Sequence, residues 1–349
     1  MIPILYEPNE TDFSTNGLGR IHDCIRCEVT EERNGIYELE LEYPVNGAHY
    51  SEIIPGRIIA AEHDESGKVE PFDIYAYTRP VNGIVTFKAH HISYRLRGSV
   101  ISGTGINSNV AALAMLREAV PDMGFDYDSD FESNGYMAAA DGTPRLVREM
   151  LGGVDGSILD TYGGEYEFTR FHVQQYKNRG KVRDFVIRYG VNLMDYNEEA
   201  DFSETFTAAI PYWSGGDELL IGDKVTANAA PYDGREFCIA LDLTDKFEAK
   251  PYQYVLENVA RNYLIENQTN LPSRNIKVDF IRLQDSDEFH SFSNLQKCGL
   301  CDSIKVVFPM YGMEGYFKIV RVVWDVLMER YTEMELGNLS TSLAEALGI

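Results

Sequence analysis

The sequence predicts an α+β fold that is predominantly β, with two β-barrel-like domains and inserted α+β and helical modules. Three observations carry this. Residues 37–43 place Tyr37, Leu39, Leu41 and Tyr43 on one side and Glu38, Glu40 and Glu42 on the other, the period-two pattern of a half-buried strand. The composition favours strands and tight turns, with 22 Tyr, 17 Phe and 29 Gly in 349 residues. Finally, FDIYAY at 72–77 is echoed by FKIVRV at 317–322. Each follows a strand and a Gly-containing polar loop (Ser66-Gly67; Tyr311-Gly312), and each precedes a turn and a further strand, which reads as two related barrels.

Residues 1–97 form the first expected barrel, with strands at 37–43, 57–62, 72–78 and 84–94. Asn34-Gly35 and Asn82-Gly83 supply hairpin turns. Residues 98–190 read as an inserted α+β module. Ser108 or Asn109 caps a helix running to about Val120, with Val110, Leu113, Leu116 and Val120 as its stripe and Pro121 as its end. Thr143-Pro144 opens a second helix over RLVREML, with Pro144 in the first turn where its missing N–H costs nothing, and Gly152-Gly153 stops it. Strands follow at 165–171, 172–177 and 183–189, the last two separated by the turn Asn178-Arg179-Gly180.

The second barrel is assigned to 191–250 together with 292–338. Between them, 251–291 is a helix-plus-strand insertion whose helix, 251–267, shows Tyr252, Val255, Leu256, Val259, Tyr263 and Leu264 on one face. Residues 339–349 form a C-terminal tail, with a helical turn capped by Ser340 or Thr341.

Charge narrows the function. With 31 Lys and Arg against 55 Asp and Glu, the net charge is −24, which disfavours phosphate binding and sequence-specific nucleic-acid recognition. No apolar run approaches the roughly 18 residues of a membrane helix, and the opening MIPILYEPNETDF lacks a signal-peptide pattern, so membrane insertion and secretion are not expected. Five cysteines form no disulfide framework.

Candidate chemistry is sparse. Cys24/Cys27 and Cys298/Cys301 have zinc-ligand spacing, but the pairs lie far apart in sequence, and Cys24–Cys27 falls in a strand-like run where positions three apart face opposite ways; Cys298-Gly299 could make the turn that the first pair lacks, and the thiols are expected to be structural. Cys238, alternating with apolar neighbours, is expected in the core. Asp126, Asp128 and Asp130 begin like a calcium loop, but Phe131 and Met137 stand where Gly and Glu are required. His90 and His91 are adjacent in a strand and cannot easily share a ligand. Gly152-Gly153-Val-Asp-Gly156 follows a helix rather than a strand and reads as a turn. No catalytic residue, metal site or cofactor is expected.

Several motifs, in order, resemble the tail-hub family of siphophages and prophages, the N-terminal region of phage minor structural and tail-associated lysin proteins ("prophage endopeptidase tail"). They are NGIYELELEYP, FDIYAYTRPVNGIVTFKAHHISYRL, GGVDGSILDTYGGEYEF, NRGKVRDFVIRYGVNL and the closing CDSIKVVFP…RYTEMELGN. The likeness runs from about 17 to 345, and LDTYGGEYEF and RGKVRDFVIRYG are its most specific pieces.

The resemblance implies a fold like the central hub of contractile-tailed phages. It implies a homotrimer whose six barrels make a pseudo-sixfold ring, with distal tail, tape measure and tip or receptor-binding proteins as partners. It also implies a place at the virion tail tip, after assembly in the host cytoplasm. Longer relatives continue into a hydrolase or receptor-binding region; this sequence stops at Ile349, so endopeptidase activity is not carried over to it. A cell-wall peptidase or a carbohydrate-binding tail module is the alternative expectation.

Overall fold

A computed structural model describes residues 1–79, 81–102, 109–119, 124–131, 144–154, 157–188, 193–203, 205–226, 236–247, 249–266, 269–270, 273–280, 298–311 and 313–340. The chain is α+β and predominantly β, and it divides into two compact units, Asn197–Ile276 and the remainder.

The larger unit begins with β1 (Ile4–Tyr6), β2 (Gly19–Arg20), β3 (Arg26–Glu32), β4 (Tyr37–Pro44), β5 (Ile58–Glu62), β6 (Val69–Thr78) and β7 (Ile84–His91). In β4 the apolar side is buried and the glutamates are half-exposed, as the alternation requires. Asn34 takes φ +58° in the turn before it, a conformation Asn tolerates better than most residues. The strand expected over 84–94 ends at His91, because the next residues wind into a 3₁₀ turn, Ile92–Gly98, whose Ser93 N–H donates to His91 Nδ1 at 3.3 Å.

The inserted segment comprises β8 (Val100–Ser102), α1 (Asn109–Ala119), β9 (Asp126–Ser129), β10 (Pro144–Leu146), α2 (Val147–Leu151), α3 (Ile158–Tyr162), β11 (Glu165–Thr169) and β12 (His172–Tyr176). Pro144 does not open the second helix. Residues 144–146 pair with β8, and α2 begins at Val147, where Glu149 reaches back to the Leu146 N–H at 3.1 Å. The module does not build a separate core: Leu116, Met150, Ile158 and Tyr166 belong to the same buried cluster as Leu39, Phe72 and Phe87.

The remaining strands of this sheet are β13 (Val182–Arg188), β14 (Leu193–Asp201), β19 (Ser273–Phe280), β20 (Ser303–Phe308), β21 (Met313–Asp325) and β22 (Arg330–Ser340), the unit boundaries falling within β14 and β19. The sheet runs β14-β19-β22-β21-β3-β4-β7-β6-β5-β1-β2, with β20 also on β21 and β13 on β20.

The echo seen in the sequence is a repeat of register. β5 pairs with β6 through Ile58↔Asp73, Ile59↔Phe72 and Ala60↔Pro71; adding 245 to every number gives the β20–β21 pairs Ser303↔Lys318, Ile304↔Phe317 and Lys305↔Tyr316. The third strand of each meander repeats as well. β6–β7 carries an irregularity between Ile74 and Ala76, and β21–β22 carries one between Ile319 and Arg321, the same positions displaced by 245.

The two halves are joined directly. The far end of β21 pairs antiparallel with β3, from Arg321↔Glu32 to Asp325↔Glu28, and Trp324 and Val326 are buried in the core of the first half.

The second unit holds β15 (Ala208–Gly215), β16 (Glu218–Ile221), β17 (Val225–Thr226), β18 (Cys238–Asp242) and α4 (Gln253–Glu266). Strands expected to join 292–338 thus pair with one another, and the helix expected to be a separate insertion supplies their core through Leu256, Ala260 and Leu264. Its tyrosines face out: Tyr252 precedes the helix and is exposed, and Tyr263 is also exposed. Cys238 is exposed too, because its parity matches Asp242 while Ile239 and Leu241 turn inward. The helical turn expected after Ser340 lies outside the described residues.

Candidate functional site

Among the described residues of the larger unit, charged groups converge in a buried seam where the inserted module meets both halves of the sheet. Its centre is Glu31, which sits on the core side of β3 although the neighbouring glutamates face out. Arg179 Nη1 donates to Glu31 Oε1 at 3.1 Å and to the Tyr166 carbonyl at 2.9 Å, while His63 Nδ1 lies 3.5 Å from Glu31 Oε2. Burial alone would push the Glu31 carboxyl up; the Arg179 guanidinium and His63 overcome it and hold the group down at about 2. His63 moves the other way: burial depresses it, but Glu31, Asp64 and Glu70 leave it above its ordinary value.

Beside this pair, Glu165 ties three parts of the chain together. Its carboxylate accepts from Lys318 of β21 at 2.6 and 2.7 Å, from Arg33 of the β3–β4 turn at 3.3 Å and from the Arg179 backbone N–H at 2.6 Å. Lys318 also donates to Asn178 Oδ1. Asn34, the turn residue, donates to the Gly164 carbonyl at 2.9 Å and accepts from the Tyr166 N–H at 2.8 Å.

Asp302 anchors the next stretch. It accepts from the Lys181 N–H at 2.8 Å, Arg183 Nε at 2.7 Å and the Gly299 N–H at 3.0 Å. Gly180 makes this possible: its φ is +87°, and a Cβ there would lie 2.2 Å from the Cys301 carbonyl oxygen. A cleft of about 610 Å³ opens over the seam, bounded by His63, Asp64, Arg179, Lys181, Asp302 and Tyr331.

A second buried pair lies deeper. His91 Nε2 is 3.3 Å from Glu70 Oε2, which also accepts the Arg170 N–H at 2.5 Å; Tyr37 stacks on His91 at 4.2 Å. Burial keeps His91 below its ordinary value despite Glu70. His90 points to the other face, stacked on Tyr75 at 3.7 Å and 3.1 Å from Glu38, as strand alternation demands.

The seam makes stability depend on pH with a definite sign. Glu31 is depressed from 4.5 to about 2, so its contribution is present above pH 4.5 and is lost as pH falls towards 2, on the order of 3 kcal/mol. His63 opposes it, contributing fully below 6.5 and losing that contribution as pH rises through its elevated folded value. In urea titrations, Glu31→Gln is therefore expected to fall furthest below the parent at pH 7, with the gap narrowing steadily below pH 4.5 as pH falls towards 2. A constant gap across that range would contradict the assignment.

Cys27, Cys298 and Cys301 are buried, Cys24 is partly buried and Cys238 is exposed. Cys24 lies in the turn before β3, its N–H bonded to the Ile21 carbonyl, so the first pair does not sit in one straight strand and the two thiols come within hydrogen-bonding reach. Burial, then contact with Cys24, pushes the Cys27 thiol up, and burial pushes Cys301 up to about 12. Among the described residues, Asp126, Asp128 and His172 gather their ligand atoms within 4.8 Å of one another, though Asp126 already holds the Arg117 guanidinium. Asp130 turns away to accept the Lys177 N–H at 2.7 Å. Gly152 and Gly153 form the bend after α2, while Asp155 and Gly156 fall outside the described residues. Trp213 and Trp324 are both buried.

The fold is that of prophage tail proteins. The chain is similar to prophage tail protein gp18 of Listeria monocytogenes, with a TM-score of 0.62 and 13% identity over 100% of this chain and 98% of that one. It is also similar to the 43 kDa tail protein of prophage MuSo2 from Shewanella oneidensis (TM-score 0.59, 10% identity, 99% and 100% covered) and to a tail protein from Neisseria meningitidis (0.56, 10%, 97% and 96%). The sequence matches no family profile and no curated protein. The tail-hub resemblance and the fold therefore agree. The two most specific motifs, LDTYGGEYEF and RGKVRDFVIRYG, contain the seam residues Gly164, Glu165, Tyr166, Arg179, Gly180, Lys181 and Arg183.

Proposed function

We propose that this chain is a structural hub protein at the distal tip of a phage or prophage tail. Three copies close a pseudo-sixfold ring that joins the tail tube or distal tail protein to the tip and lets DNA pass. The observation that carries this is the meander repeated at a displacement of 245 residues with its register intact. Three chains, each bearing two such meanders, present six equivalent elements and so match a six-membered tube without breaking threefold symmetry. We read each half as one barrel of the ring. Likeness over the full length of three tail proteins supports the tail assignment.

The seam fits a scaffold. Glu31, Glu165 and Asp302 are each engaged by cations or backbone N–H groups from a distant part of the chain, which holds the module and the halves in one arrangement. The net charge of −24 keeps a passing phosphate backbone from adhering. Distal tail, tape measure and tip or receptor-binding proteins are the partners in this reading.

Light scattering on the purified chain at micromolar concentration is expected to give three times the chain mass. A monomer throughout the concentration range would refute the ring. Release of peptides from purified peptidoglycan would refute the scaffold role.

A further inference from the structure

We infer that Arg97 and Arg148 form a binding site for carboxylate side chains presented by an acidic segment of a partner protein. The inference stands apart from the hub reading.

The site lies where α2 of the inserted module meets the 3₁₀ turn that follows β7. Arg148 of α2 holds its guanidinium 4.9 Å from the Tyr94 ring and 4.3 Å from the Phe168 ring, and Arg97 lies 4.5 Å from the same Tyr94 ring. Arg97 is exposed; Arg148 is half-buried, and its Nη1 is buried with no hydrogen-bond partner. Among the described residues neither arginine makes a hydrogen bond or an ion pair. The groups that act most strongly on Arg148 are Tyr94, Arg97, Tyr166 and Tyr127, and none is a carboxylate. Burial, with the nearby Arg97, therefore pulls Arg148 below the ordinary guanidinium value.

That sets Arg148 apart from the cations of the seam. Arg179, Lys318 and Arg183 each reach a carboxylate, in a chain where acidic groups outnumber basic ones 55 to 31. A guanidinium taken partly out of water without an anion is destabilising, and contact with aromatic faces offsets this only in part. Two such groups over one ring point to an anion that arrives from outside the chain.

The surroundings select which anion. Tyr94 stacks on His90 at 4.3 Å and His90 on Tyr75 at 3.7 Å, with Tyr75 43% exposed. Glu38, the carboxylate at that end of the stack, is taken by His90 at 3.1 Å. Arginine flanked by tyrosine is the composition of protein-interface hot spots. A polyphosphate would meet the repulsive field of a −24 chain, whereas a carboxylate brings one charge and matches the planar guanidinium.

The test follows the melting temperature of the full chain while the peptide Gly-Glu-Glu-Gly is titrated into the millimolar range at constant ionic strength, with Gly-Gln-Gln-Gly as the neutral control. A saturable rise is expected with the glutamate peptide alone. Its half-saturation is expected to move up about tenfold or more in Arg97→Met and in Arg148→Met. Without peptide, Arg148→Met is expected to melt no lower than the parent, because it removes an unpaired charge and keeps the stem. No rise, an equal rise with both peptides, or a rise that survives both substitutions overturns the site. So does a rise given by inorganic phosphate and not by the glutamate peptide. A change of mass in light scattering on either substitution would assign the arginines to a contact between copies and likewise overturn it. Arg97→Met, at an exposed position, decides the matter should Arg148→Met fail to fold.

Discussion

Replacing Arg179 with methionine is expected to destabilise the protein by about 3–5 kcal/mol, because it leaves a carboxylate buried without its cation. Glu31 is 5% exposed, and the Arg179 guanidinium and His63 flank it at 3.1 and 3.5 Å. The same guanidinium also supplies the Tyr166 carbonyl with its donor, so the loss reaches into β11. Equilibrium urea unfolding measures the cost. Adding Glu31→Gln to the Arg179→Met variant removes the stranded charge and is expected to recover a substantial part of it, a coupling that a double-mutant cycle reads directly. If the double variant is as unstable as the two single losses summed, Glu31 and Arg179 do not act as a pair.

Trp324→Ala is expected to cost about 3–5 kcal/mol, the range for emptying a fully buried indole site. Trp324 is 2% exposed and meets Tyr331 edge to face at 4.8 Å. It lies on the stretch of β21 that pairs with β3, so its ring belongs by sequence to the second half and by packing to the core of the first. The expected signature is a lowered urea midpoint together with faster exchange of β3 amides, which lose the neighbour that holds their edge. Faster exchange confined to β21 and β22, with β3 untouched, would mean that the halves do not depend on each other.

Much of the strand framework was legible because it is amphipathic. Tyr37 to Tyr43 alternates without a fault, and β4 is buried and exposed in that same alternation. The echo at 72–77 and 317–322 was visible for a similar reason: equivalent strands need apolar residues on the same pleat. The seam was not legible. Arg179 stood out only as the middle of a turn, and its partner Glu31 lies 148 residues earlier, a separation over which no local pattern can act. Glu31 shares the parity of Cys27 and Val29 and lies with them on the buried side of β3.

Other differences have local causes. The five residues of α3 are too short to show a helical period. In α4, counting tyrosines as apolar widened the stripe beyond Leu256, Ala260 and Leu264, the residues that contact the sheet. Asp242 shares the parity of Cys238 and marked that side as outward.

The meander repeat has a consequence for how such a chain diversifies. Pairing geometry that survives a shift of 245 positions sets no length for whatever is strung between its two copies. Lengthening a surface excursion raises its closure entropy only logarithmically. The stretches looped out of the framework are therefore the natural place for growth, shrinkage or exchange, whereas a single-residue slip inside either copy would turn every side chain of that strand to the wrong face. Variation among such chains should concentrate in what hangs from the frame, while its pitch stays constant.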